Sequence, residues 1–295
     1  MTTQKRIFKI IREIVRPIKQ FFNLPVKFYN LYKDTRQYLA FPNAFIAYRG
    51  KFRDFKEAMD SRPKNNRKSF YNEAQNPNID SFLAQVKNQK VGNMEYPVFF
   101  WLNEIAKSCK DNLTFNVLDF GGGYGGHYFS FVNTTKILNP HNPFTDKLQW
   151  QVVELPKQVE FGNKIAQTLG AKNLHFITNL SYANNHNVLV ASGVFQYVEN
   201  VFDWLKEWRN RGGNLIVARL YLQNKVDTFV TLQNVRNELY VPLYLFNEKS
   251  FIEFMNTLGY EVVDSWDNPF DGASLPFHKD IRIYVKGFYF RKIST

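Results

Sequence analysis

The chain has 295 residues, 44% of them hydrophobic, 17% aromatic and 22% charged, which suits one large core plus an appendage and is ordinary for a soluble protein. Its net charge of +12 favours anionic partners, and no apolar run reaches the about 18 residues that a membrane-spanning helix needs. The single Cys109 excludes an internal disulfide and a cysteine-based metal site; with no cleavable signal sequence evident, the expected setting is the reducing cytoplasm.

Residues 1–44 read as a basic amphipathic arm. Residues 1–38 carry nine Lys or Arg against Glu13 and Asp34, a net of +7. Ile7, Ile10, Ile11, Ile14, Val15, Ile18, Phe21 and Phe22 recur at helical spacing, with Lys5, Lys9, Arg12, Arg16 and Lys19 largely between them. Pro17 removes a hydrogen bond and favours a kink. Such a helix can lie on an anionic bilayer, dock onto its own domain or a partner, or bind nucleic acid. Residues 45–110 are predicted to form a helical cap. Apolar positions in 51–59 have helical spacing, 61–78 is a polar connection, and helices are expected over 79–91 and 96–110.

Residues 111–295 alternate strand and helix patterns. Strands are expected near 115–120, 149–154, 174–177, 187–192, 213–218, 260–265 and 282–290. This predicts an α/β fold, a Rossmann-like and mostly parallel seven-stranded sheet with helices on both faces and a terminal antiparallel strand. Ligands of such sheets lie beyond the carboxyl ends of the strands.

The first strand runs into Val117-Leu118-Asp119-Phe120-Gly121-Gly122-Gly123-Tyr124-Gly125. A strand closed by an acid and glycines is a tight turn at which a nucleotide-like ligand can approach the backbone, with the N–H groups of the next helix aimed at it. Gly121, Gly123 and Gly126 also satisfy the spacing of dinucleotide-binding turns. Three features favour S-adenosylmethionine (SAM) over NAD. Asp119 precedes the first glycine by two residues, where it can order the loop and reach the methionine amino group. The turn begins deep in the chain, and the carboxyl-terminal strands resemble those that close class I methyltransferases. The expected cofactor residues are Asp119, Gly121, Gly122, Gly123, Gly125 and Glu154. The last of these ends a second strand, where its carboxylate can accept both ribose hydroxyls.

Gln196 and Tyr197 follow the fourth strand and Arg219 the fifth; these three are the acceptor-side candidates. His127, in the first turn of the helix after the glycines, is a candidate base, kept neutral by the helix N-terminus. His278, expected in a loop before the last strands, is the other. His141, His175 and His186 show no metal-ligand spacing.

Together, Gly50, Phe52, Phe55 and Ala58, the Val117–Gly122 run with Gly125, Val152-Val153-Glu154, Ser192, Val194 and Gln196-Tyr197, Arg219, Pro242 with Tyr244 and Phe246, and Lys286-Gly287-Phe288 with Phe290-Arg291 carry a resemblance over about residues 45–295. The chain resembles a family of class I methyltransferases named after a Leptospira protein, whose members lie among bacterial surface-polysaccharide and O-antigen genes. The resemblance implies methylation of a surface glycan or a nucleotide- or lipid-linked precursor at the cytoplasmic face of the membrane, and it names no catalytic base. Leu220-Tyr221 replaces the family's usual Thr-Pro after Arg219, and His127 is a second departure. An NAD-dependent oxidoreductase and a non-catalytic scaffold of the same fold are the alternative readings.

Overall fold

The computed structural model describes residues 24–63, 79–87, 95–109, 114–138, 147–179, 186–236, 238–269 and 273–293. Most of the amphipathic arm, residues 1–23, lies outside them. The described chain opens with α1 (Leu24–Ala40), β1 (Ala47–Phe52), α2 (Phe55–Asp60), α3 (Ile79–Lys87) and α4 (Tyr96–Ser108). Next come β2 (Phe115–Phe120), α5 (Gly126–Leu138), β3 (Leu148–Val153), α6 (Pro156–Leu169), β4 (Leu174–Ile177), β5 (Val188–Ser192), α7 (Val201–Arg211) and β6 (Asn214–Gln223). The chain continues with β7 (Phe229–Asn234), β8 (Tyr240–Asn247), α8 (Glu248–Thr257), β9 (Tyr260–Asp267), β10 (Ser274–Leu275), β11 (His278–Arg282) and β12 (Tyr284–Lys292).

Strands β4, β3, β2, β5 and β6 are parallel in that order, and β12 runs antiparallel between β6 and β9. These seven strands are the expected sheet. Their residues alternate between two cores: Val117, Trp150, Val188 and Val190 pack with α4, α5 and α6, while Leu118, Leu189, Leu215 and Val217 pack with α7 and α8. Both faces are therefore covered, which is why Val188-Leu189-Val190-Ala191 is apolar without interruption.

Two expectations are corrected. The sheet has ten strands, because β1, β7 and β8 form an antiparallel extension joined to β6 through Leu222 opposite Phe246 and Gln223 opposite Asn247. The region 45–110 is accordingly not all helical: Lys51 and Phe52 belong to strand β1, and the helix begins at Phe55, where the Asp54 side chain accepts the Glu57 N–H at 2.8 Å.

The extension depends on β6 continuing past a bulge. Ala218 and Arg219 sit where the register against β12 shifts between Lys286 and Phe288, and Arg219 takes φ +53°. Beyond the bulge, β6 carries β8, and through it β7 and β1, past the carboxyl end of β5.

Candidate functional site

The glycine turn follows β2, and its shape comes largely from internal packing. Gly121 N–H donates to Val153 O at 3.0 Å, and Gly125 N–H to Gly122 O at 3.2 Å. A Cβ on Gly122 would lie 2.3 Å from Asp119 Oδ2, while one on Gly121 or Gly125 would strike Val194 or Leu174. Gly123 differs. It has φ +59°, and a Cβ there would meet nothing within 4 Å, so its α-carbon faces open space.

Asp119 is turned inward and is 0% exposed. Its carboxylate accepts from His127 Nδ1 at 3.1 Å to each oxygen and from Trp150 Nε1 at 3.2 Å. Asp119 thus sits against the turn at Gly122, with its carboxylate bonded to His127 and Trp150. One expectation for His127, that it is kept neutral, is corrected. Burial alone would lower its pKa, but attraction to Asp119 and their hydrogen bond outweigh that and raise it, with Arg219 opposing. An ionised carboxylate only accepts, so Nδ1 carries a proton. The contact uses Nδ1 alone, so Asp119 fixes the ring at the edge of the cleft, which His127 lines, and leaves Nε2 outside the pair, as where a carboxylate orients a histidine base.

Glu154 ties the second strand to the same turn. Its Oε1 accepts Gly123 N–H at 3.1 Å and its Oε2 accepts Leu155 N–H at 2.9 Å. The half-buried carboxyl has its pKa raised by burial, which the two backbone N–H groups only partly offset. Two of its roughly four lone-pair sites are used, leaving acceptor capacity toward a ligand.

A cleft of about 340 Å³ lies over the turn. Gly121, Gly122, Gly123, Tyr124 and Gly126 form its floor. His127, Ser130 and Asn133, at successive intervals of three on α5, line one side; Phe82, Gln85 and Val86 of α3 line another; Ser192 and Arg219 complete it. Phe82 is held by edge contacts with Tyr124 and Phe129, at 6.0 and 6.2 Å between ring centres. The three-residue spacing on α5 was readable in the sequence; the closure by α3 had no sequence signal.

Of the acceptor-side candidates, Arg219 is the one that lines the cleft. Its Nε donates to Ser192 Oγ at 3.0 Å and Nη2 to Ser192 O at 3.5 Å, and no carboxylate of the described residues forms an ion pair with it. A non-glycine residue at positive φ stores about 1–3 kcal/mol, so the fold holds this guanidinium in place at a cost. Tyr197 is turned away: its hydroxyl donates to Gln233 Oε1 at 2.8 Å, and Gln233 Nε2 donates to the Tyr48 hydroxyl at 3.2 Å. Gln196 is 1% exposed with neither amide atom bonded. His278 is corrected from loop to strand, since it begins β11 opposite Leu275, and it does not line the cleft. No metal-binding cluster occurs among the described residues.

No protein-family profile matches this chain, and no curated protein matches it. Solved structures similar in arrangement include the N-terminal domain of EvdMO1 in the presence of S-adenosylhomocysteine (SAH) and D-fucose, 10% identical over 74% of this chain and 98% of that one, TM-score 0.46. A SAM-dependent methyltransferase from Clostridium acetobutylicum is 13% identical over 73% and 99%, TM-score 0.41. The N1-methyltransferase of 1,6-didemethyltoxoflavin from Burkholderia thailandensis is 13% identical over 73% and 87%, TM-score 0.39.

Proposed function

We propose that this chain is a SAM-dependent methyltransferase whose acceptor is a surface glycan or a nucleotide- or lipid-linked precursor of one. The observation that carries the cofactor is Glu154 holding Gly123 N–H beside the open α-carbon of Gly123. It lies at the carboxyl ends of β2 and β3, in a sheet whose reversed β12 between β6 and β9 gives the class I methyltransferase arrangement. These residues fit the group. Glu154 would accept its ribose hydroxyls, the floor around Gly123 would let it approach the backbone, and the side of α5 would face it. When bound, SAM supplies an electrophilic methyl group that an acceptor atom takes in an in-line displacement.

The chain's own residues align and exclude rather than react. Asp119 and His127 brace the turn, α3 shields it from water, and Arg219 offers a fixed fork for an acceptor phosphate or carboxylate. The sequence resemblance supports the glycan, and Arg219's lack of a carboxylate partner supports an anionic one. No base is needed if the accepting atom is already electron-rich. A second reading is a binding scaffold that has lost turnover; what favours it is the raised pKa of His127, which holds a proton on the one histidine that lines the cleft among the described residues.

Methyl-labelled SAM incubated with the protein and the glycan-lipid fraction of a deletion strain separates the two. The proposal expects label in the glycan and one methyl group missing from the deletion strain's glycan. Bound but unspent SAM, with unchanged glycan, supports the scaffold.

A further inference from the structure

We infer that the outer face of α1 is a docking surface for an anionic phospholipid bilayer. The helix touches the body along one line. Asp34 lies 3.8 Å from Lys279, Gln37 Nε2 donates to Ser274 O at 3.5 Å, and the Tyr38 ring packs 5.6 Å from Phe277 beneath the Arg49 guanidinium. Residues 34, 37 and 38 share one side of a helix. Phe28, Tyr32 and Leu39 point the other way, and they are 67%, 64% and 71% exposed. Val26, Tyr29 and Leu31 are also exposed, so large apolar side chains concentrate here as nowhere else among the described residues. An exposed cluster of large apolar side chains, with Phe28, Tyr32 and Leu39 on one side of the helix, marks an interaction site.

Charge chooses the partner. Lys27, Lys33 and Arg36 are exposed on the same helix, whose one acid, Asp34, is turned toward Lys279. The preceding sequence adds six Lys or Arg between residues 5 and 19 against Glu13 alone. Protein interfaces are depleted in lysine and keep charge out of their cores. Aromatic rings and aliphatic groups flanked only by cations are instead what the headgroup boundary of an acidic bilayer accommodates, rings at headgroup depth and Lys or Arg against phosphates. The bilayer would thus be met by α1 itself and not solely by the arm before it, and this inference stands apart from the proposed methyl transfer.

The test uses the full chain, with vesicles of phosphatidylcholine alone or mixed with phosphatidylglycerol. Wild type should co-sediment with the mixed vesicles, release at high salt, and bind pure phosphatidylcholine far more weakly. Phe28→Ser/Tyr32→Ser/Leu39→Ser should weaken binding about tenfold or more, with thermal unfolding and SAH affinity unchanged. If that variant misfolds, Lys33→Glu/Arg36→Glu serves in its place with the same expected loss. Unchanged sedimentation in a folded variant overturns the inference. So does a wild-type dimer in sedimentation velocity that the triple substitution dissociates, because the face would then belong to a second copy.

Discussion

Replacing Asp119 with alanine separates the structural account from the simpler one in which this carboxylate touches the cofactor. The side chain is wholly buried and takes hydrogen bonds from His127 and Trp150. Removing it forfeits a charge-assisted bond, worth about 1.5–3 kcal/mol, and orphans the buried Trp150 N–H at about 1–3 kcal/mol. Together these come to about 2.5–6 kcal/mol, a range centred on what breaking buried ion pairs costs, so the expected loss is about 3–5 kcal/mol. At about 2–4 °C per kcal/mol for a large domain, the midpoint of thermal unfolding should fall by roughly 6–20 °C. The pH dependence carries a second signature. His127 has a folded pKa above its ordinary 6.5, so the fold favours its protonated form. That stabilisation is complete below about 6.5 and disappears as pH rises through the folded value. Wild type should therefore lose stability across that interval, whereas Asp119→Ala and His127→Gln should not. Unfolding followed by circular dichroism at several pH values measures both effects. If Asp119→Ala stays within about 0.5 kcal/mol of wild type while SAH affinity falls tenfold, the carboxylate belongs to the ligand and the brace is wrong.

Gly123→Ala should cost only about 1 kcal/mol of stability, since its Cβ meets nothing, yet weaken SAH binding by standing in the cleft; Gly122→Ala, whose Cβ would collide with Asp119, should destabilise more. Urea titrations alongside calorimetry check the pair. SAH affinity should fall on acidification at a pH above the ordinary glutamate value of 4.5, because burial raises the Glu154 pKa and the ribose needs the ionised form; affinity independent of pH there contradicts the contact. Arg219→Lys and Arg219→Ala should keep SAH affinity and lose transfer, since lysine lacks the planar fork. Arg219→Gly should be about 1 kcal/mol more stable than Arg219→Ala, because only glycine relaxes at φ +53°; equal stability would show the bulge is unstrained.

What the sequence made legible was whatever alternation and glycine chemistry encode. The seven strands of the main sheet are apolar runs closed by turns, and all seven fall near their expected places. Strands β1 and β7 were hidden for a physical reason. Every residue of β7 is buried, yet Thr231, Gln233 and Asn234 are polar, with partners that exist only after folding: Gly50 O, the Tyr48 hydroxyl and Phe41 O. The alternation left, Val230-Thr231-Leu232-Gln233, is four residues long and reads as half-exposed although every position is buried. The cleft was half legible. Its glycines follow β2, Glu154 lies beside the cleft bonded to Gly123 N–H, and Arg219 stood out as a charge ending an apolar run. The inward turn of Asp119 depends on Trp150, a partner thirty-one residues away on the neighbouring strand. Helix spacing on α5 places His127 beside the turn but does not reveal that Asp119 has captured its Nδ1.

The central claim is that the cleft over Gly123, with Glu154 beside it, binds SAM. Isothermal titration of SAH into wild type and Glu154→Ala tests it most directly, with NAD titrated in parallel. The account predicts one SAH per chain, a loss of about tenfold or more in Glu154→Ala for about 1.5–3 kcal/mol of charged hydrogen bonding, and no heat from NAD. Equal SAH affinity in the two proteins, or binding of NAD in place of SAH, would contradict it.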